Sequence, residues 1–177
     1  MKLRIGPIAA SVAISALVLF GGWFLYRQWA IERPLENIVN SYDGVKNVQL
    51  ELKPDELAVK LDLAPGTDIG GLVRQIEKDG KAQIGSRSLK LDVVDNSSPA
   101  LDELWEEALF TVAQAMENKQ YTQINAALKR MEQSNDQITA KAEMDDENVY
   151  VTLTDGQASK FVILPRTPER MGVWPNA

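Results

Sequence analysis

The chain has 177 residues, with 19 basic and 25 acidic side chains and a formal net charge of −6. It contains neither cysteine nor histidine, which excludes disulfides, Cys–His and Ser–His–Asp catalysis within the chain, and zinc sites of the usual Cys/His types. The acidic balance argues against nucleic acid as a partner, since that binding rests on neutralising phosphates.

From Ile5 to Tyr26 no residue is charged. A helix of about 20 mostly apolar residues crosses the ~30 Å hydrocarbon core of a bilayer, so the run is expected to be transmembrane. A cleaved signal peptide would end on small residues in an A-x-A-like pattern. The run closes instead on Gly22-Trp23-Phe24-Leu25-Tyr26-Arg27, and Trp23, Tyr26 and Trp29 suit a membrane-interface belt. Lys2 and Arg4 before the run nearly balance Arg27 and Arg33 after it, but so short a leading tail resembles a signal anchor with its N-terminus inside. The expectation is therefore a cytoplasmic tail at 1–4, a single-pass signal anchor at 5–26 in the cell membrane, and a polar juxtamembrane joint at 27–33, with the rest of the chain outside the cytoplasm. Beyond Tyr26, 17 of the 19 basic side chains face all 25 acidic ones, a balance of −8, unsuited to anionic lipid headgroups.

Pro34 sits where a first helical turn tolerates it, and Leu35, Ile38, Val39 and Tyr42 follow at i, i+3, i+4, i+7, the mark of an amphipathic helix. Asp43-Gly44 stops it. Val48, Leu50 and Leu52 alternate with polar residues, Lys53 to Glu56 reads as a turn, and Leu57, Val59, Leu61 and Leu63 alternate again. Period-two runs flanking a turn predict a β-hairpin with one buried face. Ile69, Leu72, Val73 and Ile76 predict a second helix, weakened by Gly70 and Gly71 in its first turn. Gly80 and Gly85 bracket an exit loop, and Leu89, Leu91 and Val93 predict a third strand. Residues 34–95 thus read as an αββαβ unit whose two helices cover one face of a three-stranded sheet.

Ser98 is a candidate N-cap with Pro99 at N1. Leu101, Leu104, Trp105, Ala108, Leu109, Val112, Ala113 and Met116 follow at helical spacing, and Ile124, Ala127, Leu128 and Met131 mark a further helix. Three strands follow: Ile138–Met144, then Val149, Val151 and Leu153, then Phe161–Leu164, separated by turns at Asp145-Asp146-Glu147 and Asp155-Gly156. Residues 99–164 read as an ααβββ unit ending in a three-stranded antiparallel sheet, and 165–177 as an irregular tail. The fold class is α+β with one N-terminal transmembrane helix. A constant offset of 92 relates Leu57, Val59 and Leu61 to Val149, Val151 and Leu153, a weak sign of an internal repeat.

Little here carries chemistry. Asp102, Glu103, Glu106 and Glu107 share a helix and read as a solvated face, because a paired-carboxylate site needs groups converging across a cleft. Asp145-Asp146-Glu147 lacks the alternation and central glycine of an EF-hand and reads as a polar turn. Ser86, Ser88 and Ser159 have basic neighbours but no S-x-x-K motif. Asn96-Ser97-Ser98 is a sequon by pattern and equally the loop before a helix. No catalytic residue, cofactor or metal is expected. Lys78, Lys81, Arg87 and Lys90 cluster in sequence and are candidate partner contacts, opposite in sign to Asp43, Glu51, Asp55 and Glu56. Trp174, with Met171 and Val173 nearby, is expected to dock back onto the domain or to anchor a partner.

The αββαβ order resembles the ring-building motif of flagellar MS-ring proteins, type III secretion inner-ring lipoproteins and sporulation channel proteins. The residues that carry the resemblance are Asp43 to Val48, Val59 to Gly66 and Leu91 to Asp95. The BON domain of bacterial periplasmic proteins has a related element order. Either resemblance covers about a third of the chain and implies a non-catalytic, extracytoplasmic scaffold. The functional expectation is a membrane-anchored assembly or protein-interaction module of a bacterial cell envelope, with a protein partner or self-association. The alternative is a membrane-tethered ligand-binding or sensory domain.

Overall fold

The computed structural model describes residues 5–167, with side chains for 11–26 and 29–167. Met171, Val173 and Trp174 lie outside the described residues. Helix α1 (Ile5–Arg27) continues through a π-helical segment (Gln28–Glu32) into helix α2 (Arg33–Asn40) with no intervening coil. The segment expected as a polar joint, 27–33, is helical along its length. Pro34 lies in the first turn of α2, and the π-helical segment just before it accommodates the missing N–H without breaking the path. The Arg33 guanidinium lies 4.8 Å over the Trp29 ring, which helps hold the transition.

The membrane expectation is corrected as well. Among the described residues no helix is long and apolar enough to cross a membrane. The transmembrane helix is dropped from the fold class, and with it the single-pass signal anchor. What stands is an α+β chain with two three-stranded sheets.

In the first sheet β1 (Val45–Leu52) and β2 (Glu56–Leu63) form an antiparallel hairpin, and β3 (Ser88–Val93) lies parallel to β2 on its other side. The parallel return is made through α3 (Ile69–Asp79) and the short α4 (Lys81–Ile84). Register follows the alternation: Leu50 opposes Val59, which opposes Leu91. Leu57, Val59, Leu61 and Leu63 on the central strand are buried under Leu35 and Val39 of α2 and Leu72 and Ile76 of α3. Val48, Leu50, Leu52, Leu89 and Leu91 share that face but are only half-buried, because they sit on edge strands where the helix layer thins. Gln49, Lys60 and Asp92 line up on the opposite, polar face.

Gly70 and Gly71, poor helix formers, are there for space. A Cβ on Gly70 would come within 2.6 Å of the Glu143 carboxylate, and one on Gly71 would overlap the Tyr42 hydroxyl. Asp68 caps this helix by accepting from the Gly71 N–H at 2.7 Å. The α4 turn, expected as loop, fits between Gly80 and Gly85 and buries Ile84.

The second unit starts at α5 (Pro99–Glu117), where the Ser98 hydroxyl accepts from the Leu101 N–H at 3.3 Å. Helix α6 (Thr122–Ser134) and strands β4 (Ile138–Met144), β5 (Asn148–Asp155) and β6 (Ala158–Pro165) follow, all antiparallel in the order β4-β5-β6. Val149, Val151 and Leu153 pack under α5 and α6, in a core with Trp105, Val112, Ile124 and Leu128. The other face of the same sheet is also covered. Tyr150, 2% exposed, joins the core of the first unit, flanked by Phe161 and Ile163. The second sheet is therefore a shared wall between α5–α6 and the first unit. A bridge from Ser159 N–H to Asn96 C=O, at 3.1 Å, ties the connecting segment to β6. The 92-residue offset holds for the hairpins, with Leu52 opposing Leu57 and Met144 opposing Val149. It ends there, because the third strands add with opposite polarity.

Candidate interaction surfaces

The four basic residues singled out in the sequence do not form one patch. Lys78 lies in the last turn of α3 and Lys81 opens α4, both exposed in the helix layer. Lys90 projects from the opposite face of the sheet, in register with Ala58, which is itself opposite Glu51. Arg87 is half-buried and braces the fold: its Nε donates to Lys53 C=O at 3.0 Å and its Nη1 to Ile84 C=O at 3.1 Å. Its guanidinium closes the β1–β2 turn onto the α4 exit. Of the acidic residues opposite in sign, Glu56 pairs with Lys53 at 3.0 Å. The hydrogen bond from Lys53 holds the Glu56 carboxyl below its usual range, against a small opposing effect of burial. Glu51 and Lys90 share one sheet face, so charges there are mixed rather than segregated.

Helix α1 presents apolar side chains on all sides. Val12, Leu17, Val18, Phe20, Trp23 and Phe24 are each more than half exposed. Trp23 and Tyr26 sit with ring centroids 6.2 Å apart, and Trp29 lies beneath Arg33. Among the described residues, neither buried core includes one from α1.

A groove of about 410 Å3 runs between α5 and the end of β6, floored by Leu109, Val112, Ala113, Met116, Leu164 and Pro165. Glu117, Lys119 and Arg166 stand at its rim. Leu109 is 40% exposed, and neighbouring Phe110, which the helical stripe did not single out, is 81% exposed. Only the spacing of Phe110, one residue past the apolar stripe, could have marked it as outward.

The polar side chains of the body are largely engaged with one another. Asp102 is not on the solvated face with Glu103, Glu106 and Glu107. It accepts from Lys160 and from Ser97, each at 2.7 Å, and these bonds hold its carboxyl below the usual range. Arg74 of α3 reaches Glu143 of β4 at 3.1 Å, joining the two units. Asp145 accepts from the Glu147 and Asn148 N–H groups at 2.8 and 2.7 Å, while Arg166 donates to its carbonyl. Ser159 is buried beside Thr154, and Ser88 donates to Asp55 C=O. The Asn96 side chain donates to Asp62 at 3.2 Å. Among the described residues no group of acidic side chains is arranged to hold a metal.

No protein-family model matches the chain, and neither a curated protein nor a solved structure shows significant similarity to it.

Proposed function

We propose that the protein is a non-catalytic assembly or protein-interaction module of the cell envelope. The observation that carries this reading is α1: an apolar surface exposed on all sides, projecting from a body whose two cores are complete without it. Exposed apolar area of this extent marks an interaction surface. The body adds support. Several of its charged groups pair with one another, as in Asp102–Lys160 and Arg74–Glu143. The αββαβ element order, similar to ring-building and BON modules, fits the same reading.

The test is the association state of the full chain in mild detergent, by analytical ultracentrifugation at low and high salt. Self-association that is lost with Leu17→Glu and Phe20→Glu, while the body unfolds at an unchanged temperature, is the expected result. A monomer at every concentration, indifferent to both substitutions, would remove self-assembly through α1. For the setting, alkaline phosphatase fused after Thr167 should be active; an inactive fusion would place the body inside the cytoplasm.

A further inference from the structure

The two sheets differ at their edges. In the second sheet each outer strand is stoppered from within the chain. The Ala140 N–H on β4 donates to the Glu132 carboxylate at 2.9 Å, and the Ser159 N–H on β6 donates to Asn96 C=O at 3.1 Å. In the first sheet, among the described residues, no strand lies beyond β1 or β3. The ladder fixes which backbone groups these edges offer. The Lys53 N–H donates to Glu56 C=O, and along an antiparallel strand the groups turn alternately toward and away from the neighbour. Gln49 and Glu51 therefore turn theirs to β2, and Val48 and Leu50 turn theirs outward. On β3, Ser88 at its start and Val94 just past its end donate to Asp55 and Leu61 C=O, which leaves Leu89, Leu91 and Val93 turned outward. These five are also half-buried apolar residues.

We propose that a second copy of this chain adds its β1 to the free edge of β3, so that the sheet continues from copy to copy. The inference rests on the self-association reading above and adds to it a surface other than α1. Direction fits. β1 runs antiparallel to β2 and β3 runs parallel to it, so copies in one orientation bring β1 antiparallel to a neighbour's β3. Register fits as well. Leu50, Val59 and Leu91 form one row across the sheet. Continuing that row sets Leu91 opposite the next copy's Leu50, Val93 opposite its Val48 and Leu89 opposite its Leu52. Outward-turned backbone groups then meet each other, as in other strand additions, and half-buried apolar side chains meet on one face. A slip of one residue loses both. On the other face Lys90 falls opposite Glu51 and Asp92 opposite Gln49, all four exposed. Opposite charges directly across an antiparallel pair are favourable. Within one chain Glu51 and Lys90 are held apart by Ala58, about 9–10 Å or two strand spacings, and Glu51 has only Lys53 at 4.0 Å. Each copy keeps one edge of each kind, so the contact is head-to-tail and propagates as a ring or a filament.

The natural chain has no cysteine, which makes cross-linking a clean probe. Full chains carrying Glu51→Cys and Lys90→Cys would be mixed in mild detergent and oxidised. Lys60→Cys, exposed on the same face of the central strand, replaces either one in the controls. The mixed disulfide should form at least about tenfold faster than any control, or than a disulfide between two Lys90→Cys chains, because directly opposed residues stand within disulfide range. By sedimentation, Glu51→Lys or Lys90→Glu alone should weaken association about fivefold, and the two together should restore it. Cross-linking no faster than the controls, or no restoration in the doubly reversed chain, would overturn the proposal. Leu17→Glu with Phe20→Glu separates the two surfaces. Association lost in that variant but unchanged in both edge variants would keep the α1 reading and sink this one; a mixed disulfide that still forms in its background would show that the edges join copies without α1.

Discussion

The Tyr150 hydroxyl donates to the Asp145 carboxylate at 2.5 Å, across the turn that joins β4 to β5. The ring that carries this hydroxyl is buried in the core of the first unit. One side chain thus fixes the β4–β5 turn and fastens the second sheet to the first unit. Burial, together with the hydrogen bond to Asp145, pushes the phenol well above its ordinary range, so it stays a donor at any working pH. Tyr150→Phe keeps the ring and loses the bond, and should cost about 2 kcal/mol in urea unfolding, the worth of a hydrogen bond to a charged acceptor. Tyr150→Ala also empties the site, should cost about 3–5 kcal/mol, and is expected to split one unfolding transition into two. A single transition in Tyr150→Ala would mean that the units are coupled mainly elsewhere.

Acid titration should act in two opposite steps. Glu77 on α3 has its carboxyl raised, first by burial and then by the nearby Glu147 and Asp145 charges. A raised carboxylate costs stability above its folded pKa, and that cost disappears as pH falls toward about 4.3, the unfolded value. Asp145 is driven upward by burial, but hydrogen bonds from Tyr150, Asn148 and Glu147 leave it lowered overall; Asp102 is lowered by Lys160 and Ser97. Lowered carboxylates contribute stability above about pH 3.9 that is lost as pH falls through their folded values. The urea midpoint should therefore rise on mild acidification and then fall below roughly pH 4. Glu77→Gln should abolish the rise and leave the fall; a rise that persists in this variant would assign it to another group.

Gly44 turns α2 into β1 with φ of +93°, and a Cβ there would overlap the Thr67 hydroxyl, which donates to Ala64 C=O at 2.7 Å. Gly44→Ala combines backbone strain with displacement of that bond. It should destabilise the body by about 2 kcal/mol or more, read from thermal unfolding. Gly21→Ala, with open space around its Cβ, is the matched control and should leave the body's transition unmoved.

Lys119, between α5 and α6, adopts φ of +54°, a conformation that glycine holds at less cost. Lys119→Gly should stabilise the body by up to about 1 kcal/mol. A loss of stability would show that the lysine side chain, at the rim of the apolar groove, is worth more than its backbone strain.

Where a sheet face meets either helices or water, alternation is enough to read it. Leu57, Val59 and Leu61 went inward and Lys60 outward, as the period of two requires. The same rule failed on β5, where Tyr150 and Thr152 are buried along with Val149 and Val151. Nothing in a strand's own sequence announces a second layer on its polar side, so the packing of one unit on the other was not legible. Arg87 misled for a related reason. A cation reads as surface, and only the tertiary positions of the Lys53 and Ile84 carbonyls reveal it as a brace between the β1–β2 turn and the α4 exit. The glycines at 70 and 71 spoke against a helix by propensity, yet the close approach of Glu143 and Tyr42 is what they make possible.

The unbroken helical path from α1 through the π segment into α2 has a mechanical consequence. The π segment also rests on α4, and α2 delivers Leu35 and Val39 directly to the floor of the first core. A flexible tether would isolate the body from whatever holds α1; a continuous helix makes α1 a shaft. Rotation or pull applied to it arrives at Leu35 and Val39, beneath the β1–β2–β3 sheet, before it can reach the second unit through Tyr150.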